Sequence, residues 1–408
     1  MSRDRPRSLA RLEGSVRSYA WGSHTALAAI QGRAHPTAEP EAELWFGAHA
    51  TGASEVVSDG ERWGLDAMIA AEPVAMLGPE TVGRFGPHLP FLLKLLAIER
   101  PLSLQAHPSA AQATAGFRDE QTRGVPVDAP QRSYRDPWPK PELLCALSEV
   151  DALAGFRAPE VTRALLDELR VPELQWLLDD LGVRGHDALP AAVGRLLRWP
   201  DDDRRSLIAT VVAQARTVAA AGGAHEREAR WLTVLGEQYP ADPGVVVAAL
   251  LNLIRLGPGE ALYLPAGNLH AYLRGTAVEV MAASDNVLRG GLTVKPVDVD
   301  GLLHVLDPTP LPLPHITPVP IAGGYAYPTP AEHFALEQLV PGPGGLELEP
   351  RGPEILLAVG GAARVDADGV SIALASGQAA FVPAETGRVR LLGDGPVFRA
   401  TVGSATRP

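Results

Sequence analysis

Gly259-Glu260-Ala261-Leu262-Tyr263-Leu264-Pro265-Ala266-Gly267-Asn268-Leu269-His270 is the stretch whose reading decides the fold. Gly259 opens a strand, Pro265 and Gly267 make a tight turn, and His270 begins the next strand. Such a turn aims an imidazole into the mouth of a β-barrel, and imidazole is the commonest protein ligand for a transition metal. Downstream, Arg274-Gly275 reads as a two-residue hairpin loop between Ala271-Tyr272-Leu273 and Thr276-Ala277-Val278. Counting outward opposes Leu273 to Thr276 and His270 to Glu279. The sequence therefore predicts His270 and Glu279 side by side on one face.

The order Gly, five residues, Pro, one residue, Gly, two residues, His resembles the second half of the cupin signature, with Arg274 where that signature carries Asn. Gly377-Gln378-Ala379-Ala380-Phe381-Val382-Pro383 repeats the first part of the pattern, and no histidine follows. It reads as a second jelly-roll half without a metal.

The chain has 408 residues, 46% of them apolar, enough for one large or two to three ordinary domains with real cores. A net charge of −12 removes any global attraction for nucleic acid or an anionic membrane, so an anionic substrate needs a local basic cluster. Cys145 is the single cysteine; there is no disulfide framework or thiolate zinc knuckle, which fits a reducing cytosol and a cytoplasmic location. The charged start, Met1 to Arg7, is followed by no apolar segment and is not read as a signal peptide. The apolar run Pro90–Ile98 is interrupted by Lys94 and is too short to span a bilayer. A monomer is expected.

Residues 10 to 60 read as strands and turns, with Tyr19 to Trp21 as core packing. In Pro101-Leu102-Ser103-Leu104-Gln105-Ala106-His107-Pro108, a strand puts Ser103, Gln105 and His107 on one face and the apolar residues on the other. A lone histidine reads as a packed or exposed side chain; three polar groups on one strand face read as a site. Ser109 to Gly124 reads as an exposed helix or flap. In Asp136-Pro137-Trp138-Pro139-Lys140-Pro141-Glu142 the prolines hold the backbone extended, which puts Lys140 and Glu142 on one side.

From Pro159 to about Ile254 the pattern turns helical. Val161, Leu165, Leu166 and Leu169 form one stripe; Leu174, Leu177, Leu178 and Leu181 form another; Leu207, Val211, Val212, Ala215 and Val218 form a third. Val245 to Ile254 reads as the last helix, started by Asp242-Pro243. His186 and His225 are expected at its surface. Pro308 to Pro330 reads as an extended crossing segment, and Phe334 to Val402 as short strands separated by glycine turns.

Gln105, His107, Glu142 and His270 thus form a donor set of nitrogen and oxygen without sulfur, suited to zinc or a similar divalent ion with positions left for water or substrate. The chain also resembles the type I phosphomannose isomerase family over nearly its whole length. The resemblance rests on Tyr19-Ala20-Trp21-Gly22-Ser23, Ala42-Glu43-Leu44-Trp45, the Pro101–Pro108 segment, Lys140-Pro141-Glu142, Tyr239-Pro240-Ala241-Asp242-Pro243-Gly244 and His270-Ala271-Tyr272. Its most specific part is Glu279-Val280-Met281-Ala282-Ala283-Ser284-Asp285-Asn286-Val287-Leu288-Arg289-Gly290-Gly291-Leu292-Thr293. Ala20 and Ala50 depart from the residues usual in the family, away from the metal set.

That resemblance implies a mainly β fold: two cupin-like jelly-roll β domains with an inserted α-helical domain. On this reading the first β domain covers 1–155, the helical insertion 156–255, a return to the metal-binding domain 256–310, and the second β domain, without ligands, 311–408. It implies one zinc ion per chain on Gln105, His107, Glu142 and His270, an active-site arginine at Arg289, and pocket positions at Ser103, Lys140, Glu279 and Lys295. The implied activity is aldose–ketose isomerisation of a sugar phosphate through an enediol. Glu279 is the first candidate for proton transfer and Lys140 the second; Lys295 with Ser103 is the expected phosphate contact. A non-catalytic sugar-phosphate-binding cupin and an iron-dependent cupin oxygenase are the alternatives. The joint presence of Glu279, Lys140 and Arg289 argues against the first, and the amide ligand Gln105 against the second.

Overall fold

A computed structural model describes residues 8–58, 60–311 and 315–404. The charged start, Met1 to Arg7, and part of the Pro308–Pro330 crossing lie outside the described residues. The fold is two cupin-like β units with a helical insertion, built on sheets of eleven, nine and four strands.

The four-stranded sheet packs on one face of the nine-stranded sheet through Leu348, Leu356, Val365, Leu391 and Val397. The other face of the nine-stranded sheet meets the eleven-stranded sheet through Leu12, Phe46, Leu93, Val278, Val280, Phe381 and Phe398. Strands buried on both faces explain why Phe91–Ile98 and Glu142–Ala146 read as continuous buried runs rather than alternating ones. Ala10–Glu13, Glu55–Ser58 and Glu61–Gly64 join the nine-stranded sheet, with Ala10 opposite Phe381. The N-terminal strands therefore lie in one sheet with strands of 311–408. The crossing segment links the two units: His315–Ile316 pairs with Ala261–Leu262, and Gly324–Tyr327 pairs with Ala335–Leu339.

The eleven-stranded sheet folds over itself because one strand, His270–Ala282, runs through both of its halves. Its first part pairs with Val150–Phe156 and its second with Phe91–Ile98 and Glu142–Ala146. The expected hairpin at Arg274-Gly275 does not form. Tyr272 stands opposite Ala152 and Arg274 opposite Asp151, so Leu273 is an extra residue, a bulge that bends the strand. Gly275 takes φ +116, and a Cβ there would lie 2.5 Å from the Glu149 carbonyl oxygen. A glycine that looks like a turn signal is here the hinge of a bent strand.

The helices between Pro159 and Ala248 pack onto the outer side of this sheet around Leu166, Leu177, Leu196, Val211 and Leu235. In the first, Thr162 takes the inner position expected of Val161, which is 44% exposed. The last helix is short, Gly244–Ala248, and Leu251–Leu256 is already a strand paired with Val150–Phe156. Its β-branched and leucine run reads equally as helix or strand, and the waiting edge of Val150–Phe156 decides it. His225 lies against Glu168 at 2.7 Å, whereas His186 is exposed as expected.

Candidate metal centre and active-site cavity

Glu142 lines a cavity of about 730 Å³, and His107 and His270 converge on it. His107 follows the strand Leu104–Ala106, Glu142 opens Glu142–Ala146, and His270 opens His270–Ala282. The Pro265–Gly267 turn delivers His270 as the sequence implies, with Gly267 at φ +77. His107 Nε2 lies 3.2 Å from Glu142 Oε1, and His270 Nε2 lies 3.4 Å from Glu142 Oε2. These separations match the edge of a tetrahedron with arms of roughly 2.0–2.1 Å.

The tautomers are set by the backbone. His107 Nδ1–H donates to the Asn286 carbonyl at 2.7 Å, and His270 Nδ1–H donates to the Asn268 carbonyl at 3.0 Å. A carbonyl only accepts, so each Nε2 presents a lone pair to the centre. Burial, reinforced by the Lys140 ammonium, pushes His107 down to about 4 and keeps it neutral. His107 Nε2, His270 Nε2 and Glu142 Oε2 are buried and have no hydrogen-bond partner. Orphaned buried acceptors that converge on one point fit a cation there.

Gln105 lies next to this centre in the sheet. It stands opposite His270 on one side and opposite Arg289 on the other. Ser103 and Gln105 line the cavity with Lys140, Glu279, Arg289 and Lys295. The structure thus brings every residue singled out from the sequence to one cavity or to the centre beside it. Lys140 Nζ sits 3.0 Å from Glu142 Oε1, on the side predicted from the proline spacing. Burial alone would raise Glu142, but the Lys140 ammonium holds its carboxyl well below the usual carboxylate range.

Other residues of the site escaped the sequence reading. Lys94, taken only as a break in an apolar run, is buried with its Nζ 3.0 Å from Glu279 Oε2 and 3.6 Å from Glu43 Oε2. Burial opposes its charge, but Glu279 and Glu43 overcome that and hold it protonated. Glu279 is pushed upward by burial, partly offset by Lys94. Glu43 also accepts the Trp45 indole N–H. His49 faces Asp285, with Nε2 3.4 Å from Oδ1, and burial lowers it. The signal for Lys94 was present: a lysine centred in an apolar run is expensive unless paired. Tyr19 and Trp21, expected in the core, stack at 5.9 Å on the cavity wall, with Tyr19 44% exposed.

The buried charges of the cavity are Glu43, Glu142 and Glu279 against Lys94, Lys140 and Arg132, a balance of zero. A divalent cation at this centre turns that balance positive, the sign an anionic substrate needs. Among the described residues, His107, Glu142 and His270 are the one cluster able to hold a metal, and none lies in the second β unit. No helix among the described residues is long and apolar enough to cross a membrane.

The chain matches known proteins along most of its length. The family model for phosphomannose isomerase type I, catalytic domain, matches residues 9–159. Mannose-6-phosphate isomerase of Salmonella typhimurium is 35% identical over 394 residues, covering 95% of this chain and 98% of that protein. The Homo sapiens mannose-6-phosphate isomerase is 34% identical over 320 residues, covering 73% of each. The crystal structure of a zinc-bound mannose 6-phosphate isomerase is similar with a TM-score of 0.89 at 34% identity, covering 97% of this chain and 100% of that one.

Proposed function

This chain belongs to the type I phosphomannose isomerase family, and we propose that it interconverts mannose 6-phosphate and fructose 6-phosphate, with one zinc ion held by Gln105, His107, Glu142 and His270. The observation that carries the reading is the set of orphaned donors on His107, Glu142 and His270 beside a cavity whose wall holds Arg289 and Lys295. Zinc, when bound, supplies the Lewis acidity that polarises the sugar carbonyl and makes its neighbouring C–H acidic.

The reaction moves a proton between C1 and C2 through an enediol. Glu279 is the first choice for that transfer: a carboxyl raised by burial is a better base, and Lys94 fixes its orientation. Lys140 is the second. Arg289, permanently charged, stabilises the enediolate or grips the phosphate in a fork. Lys295 with Ser103 takes the remaining phosphate contacts. The same reading makes the chain a cytoplasmic monomer that engages neither nucleic acid nor membrane, in keeping with its charge of −12 and single cysteine.

The test is coupled conversion of mannose 6-phosphate to fructose 6-phosphate before and after chelation, with zinc added back. Activity lost on chelation and restored by zinc supports the isomerase. A folded, zinc-loaded protein without turnover overturns it.

A further inference from the structure

We propose that Arg135 is the third cation of a phosphoryl cradle, joining Arg289 and Lys295 on the cavity wall and contacting the phosphate of the sugar. The inference rests on the isomerase reading and adds a binding residue to it.

The carrying observation is a lack of partners. Many cations of this chain are paired: Arg132 with Glu120, Arg157 with Glu228, Arg399 with Glu354, and Arg227, Arg255 and Arg274 with Asp151. No ion pair or side-chain hydrogen bond holds the charged groups of Arg135, Arg289 or Lys295 among the described residues, and all three line the cavity. They also act on one another. Burial and then Arg135 lower Arg289; burial, then Arg289 and Arg135, lower Lys295.

Asp136, next to Arg135, and Asp242, which holds Thr293 near Lys295, do not relieve this crowding, because both are engaged elsewhere. The Asp136 carboxylate accepts from Trp138 N–H, Ser284 Oγ–H and Asp285 N–H. The Asp242 carboxylate accepts from Gly244 N–H and Thr293 N–H. Three like charges on one wall of an acidic protein repel unless an anion bridges them. A phosphate monoester carries close to two negative charges near neutral pH and offers oxygens to several donors at once.

The backbone beneath the cradle is fixed in advance. Arg135 N–H donates to Asn286 Oδ1 at 2.7 Å, and the Asn286 carbonyl receives His107 Nδ1–H. Asn286 also donates to the Asp136 and Trp138 carbonyls, each at 2.8 Å. One buried carboxamide thus ties the segment bearing Arg135 to the strand that leads to Arg289. Thr293 N–H on Asp242 anchors the loop that carries Lys295. Cations on a fixed backbone with unengaged heads suit capture of an anion without reorganisation.

The experiment compares zinc-loaded wild type, Arg135→Gln and Arg135→Lys with mannose 6-phosphate as substrate and inorganic phosphate as competing anion. The expected result for Arg135→Gln is a KM and a phosphate inhibition constant each raised roughly 10–150-fold, the range for losing a hydrogen bond to a charged group, with kcat changed less than about threefold. Arg135→Lys restores most of both. Unchanged KM and phosphate inhibition, or a fall in kcat alone that lysine does not rescue, overturns the cradle and leaves the isomerase reading standing. If wild type shows no turnover, the isomerase reading fails, and calorimetric titration with inorganic phosphate decides the cradle separately. Weaker binding by Arg135→Gln supports it, and equal binding overturns it.

Discussion

His270 and Glu279 lie nine positions apart on one strand; Glu279 lines the cavity, and His270 meets Glu142, which lines it too. In a regular strand an odd spacing sends two side chains to opposite faces. The bulge at Leu273 adds one residue and restores the parity, and Gly275 lets the strand bend so that both halves wrap one interior.

Gly275→Ala tests that bend. The added Cβ would lie 2.5 Å from the Glu149 carbonyl oxygen and 2.9 Å from Val150 Cα, at a φ of +116 that side chains seldom adopt. Backbone strain and overpacking together should destabilise the fold by about 2–4 kcal/mol. Denaturant melts read the stability. If the variant folds, the rate should fall with it, because Glu279 and His270 are no longer held in register.

Zinc should act as a stabilising ligand. Chelated protein titrated with zinc should gain about 2.7 kcal/mol at a hundredfold excess over Kd. Glu142→Ala removes the carboxylate between the imidazoles and leaves Lys140 without its 3.0 Å partner. Its metal content by elemental analysis should fall from near one per chain to near zero, and zinc should no longer raise its melting temperature.

Lys94 and Glu279 should be energetically coupled. Lys94→Met leaves Glu279 and Glu43 as buried carboxylates without their ammonium, and removal of one partner of a buried pair costs about 3–5 kcal/mol. The double variant Lys94→Met, Glu279→Gln should be less destabilised than the sum of the single ones. A double-mutant cycle in denaturant measures the difference, expected at about 1–3 kcal/mol. Additive effects would mean that the pair contributes no coupling.

His333 should contribute to acid sensitivity. Packed at 5.1 Å from Phe85, its imidazole is pushed down to about 4 by burial, against the pull of Glu332. The folded protein resists protonation of this ring down to about pH 4, whereas the unfolded chain accepts the proton near 6.5. Its contribution is therefore complete above pH 6.5, declines as the pH falls toward 4, and is level below. His333→Phe should flatten that stretch of the stability curve by about 1–2 kcal/mol after allowance for partial exposure. The pH dependence of the urea midpoint, wild type against variant, checks it.

The metal centre was legible because its chemistry is local. Pro265, Gly267 and His270 sit within one turn, Ser103, Gln105 and His107 share one strand face, and the prolines around Lys140 hold Glu142 in line. Short-range geometry fixes each of these, so the residues announce themselves. The helical stripes were legible for the same reason, down to the exchange of Thr162 for Val161 at one inner position.

The sequence by itself determined His107, Glu142 and His270 as a group able to hold a metal, the alternation of sheet and helix, and the absence of a global field for polyanions. Tertiary structure decided what depends on partners distant along the chain. Arg274-Gly275 carries a hairpin signal, but Val150–Phe156 and Phe91–Ile98 offer continuous edges on either side, and two ladders of backbone hydrogen bonds outweigh one tight turn. Leu251–Leu256 became a strand because an edge awaited it. Lys94 became part of the site because Glu43 and Glu279 converge on it from neighbouring strands. Arg135 joined Arg289 because one buried asparagine holds their two segments together. Local propensity writes short-range geometry into the sequence, but pairing energy across a sheet exists only after the chain has closed.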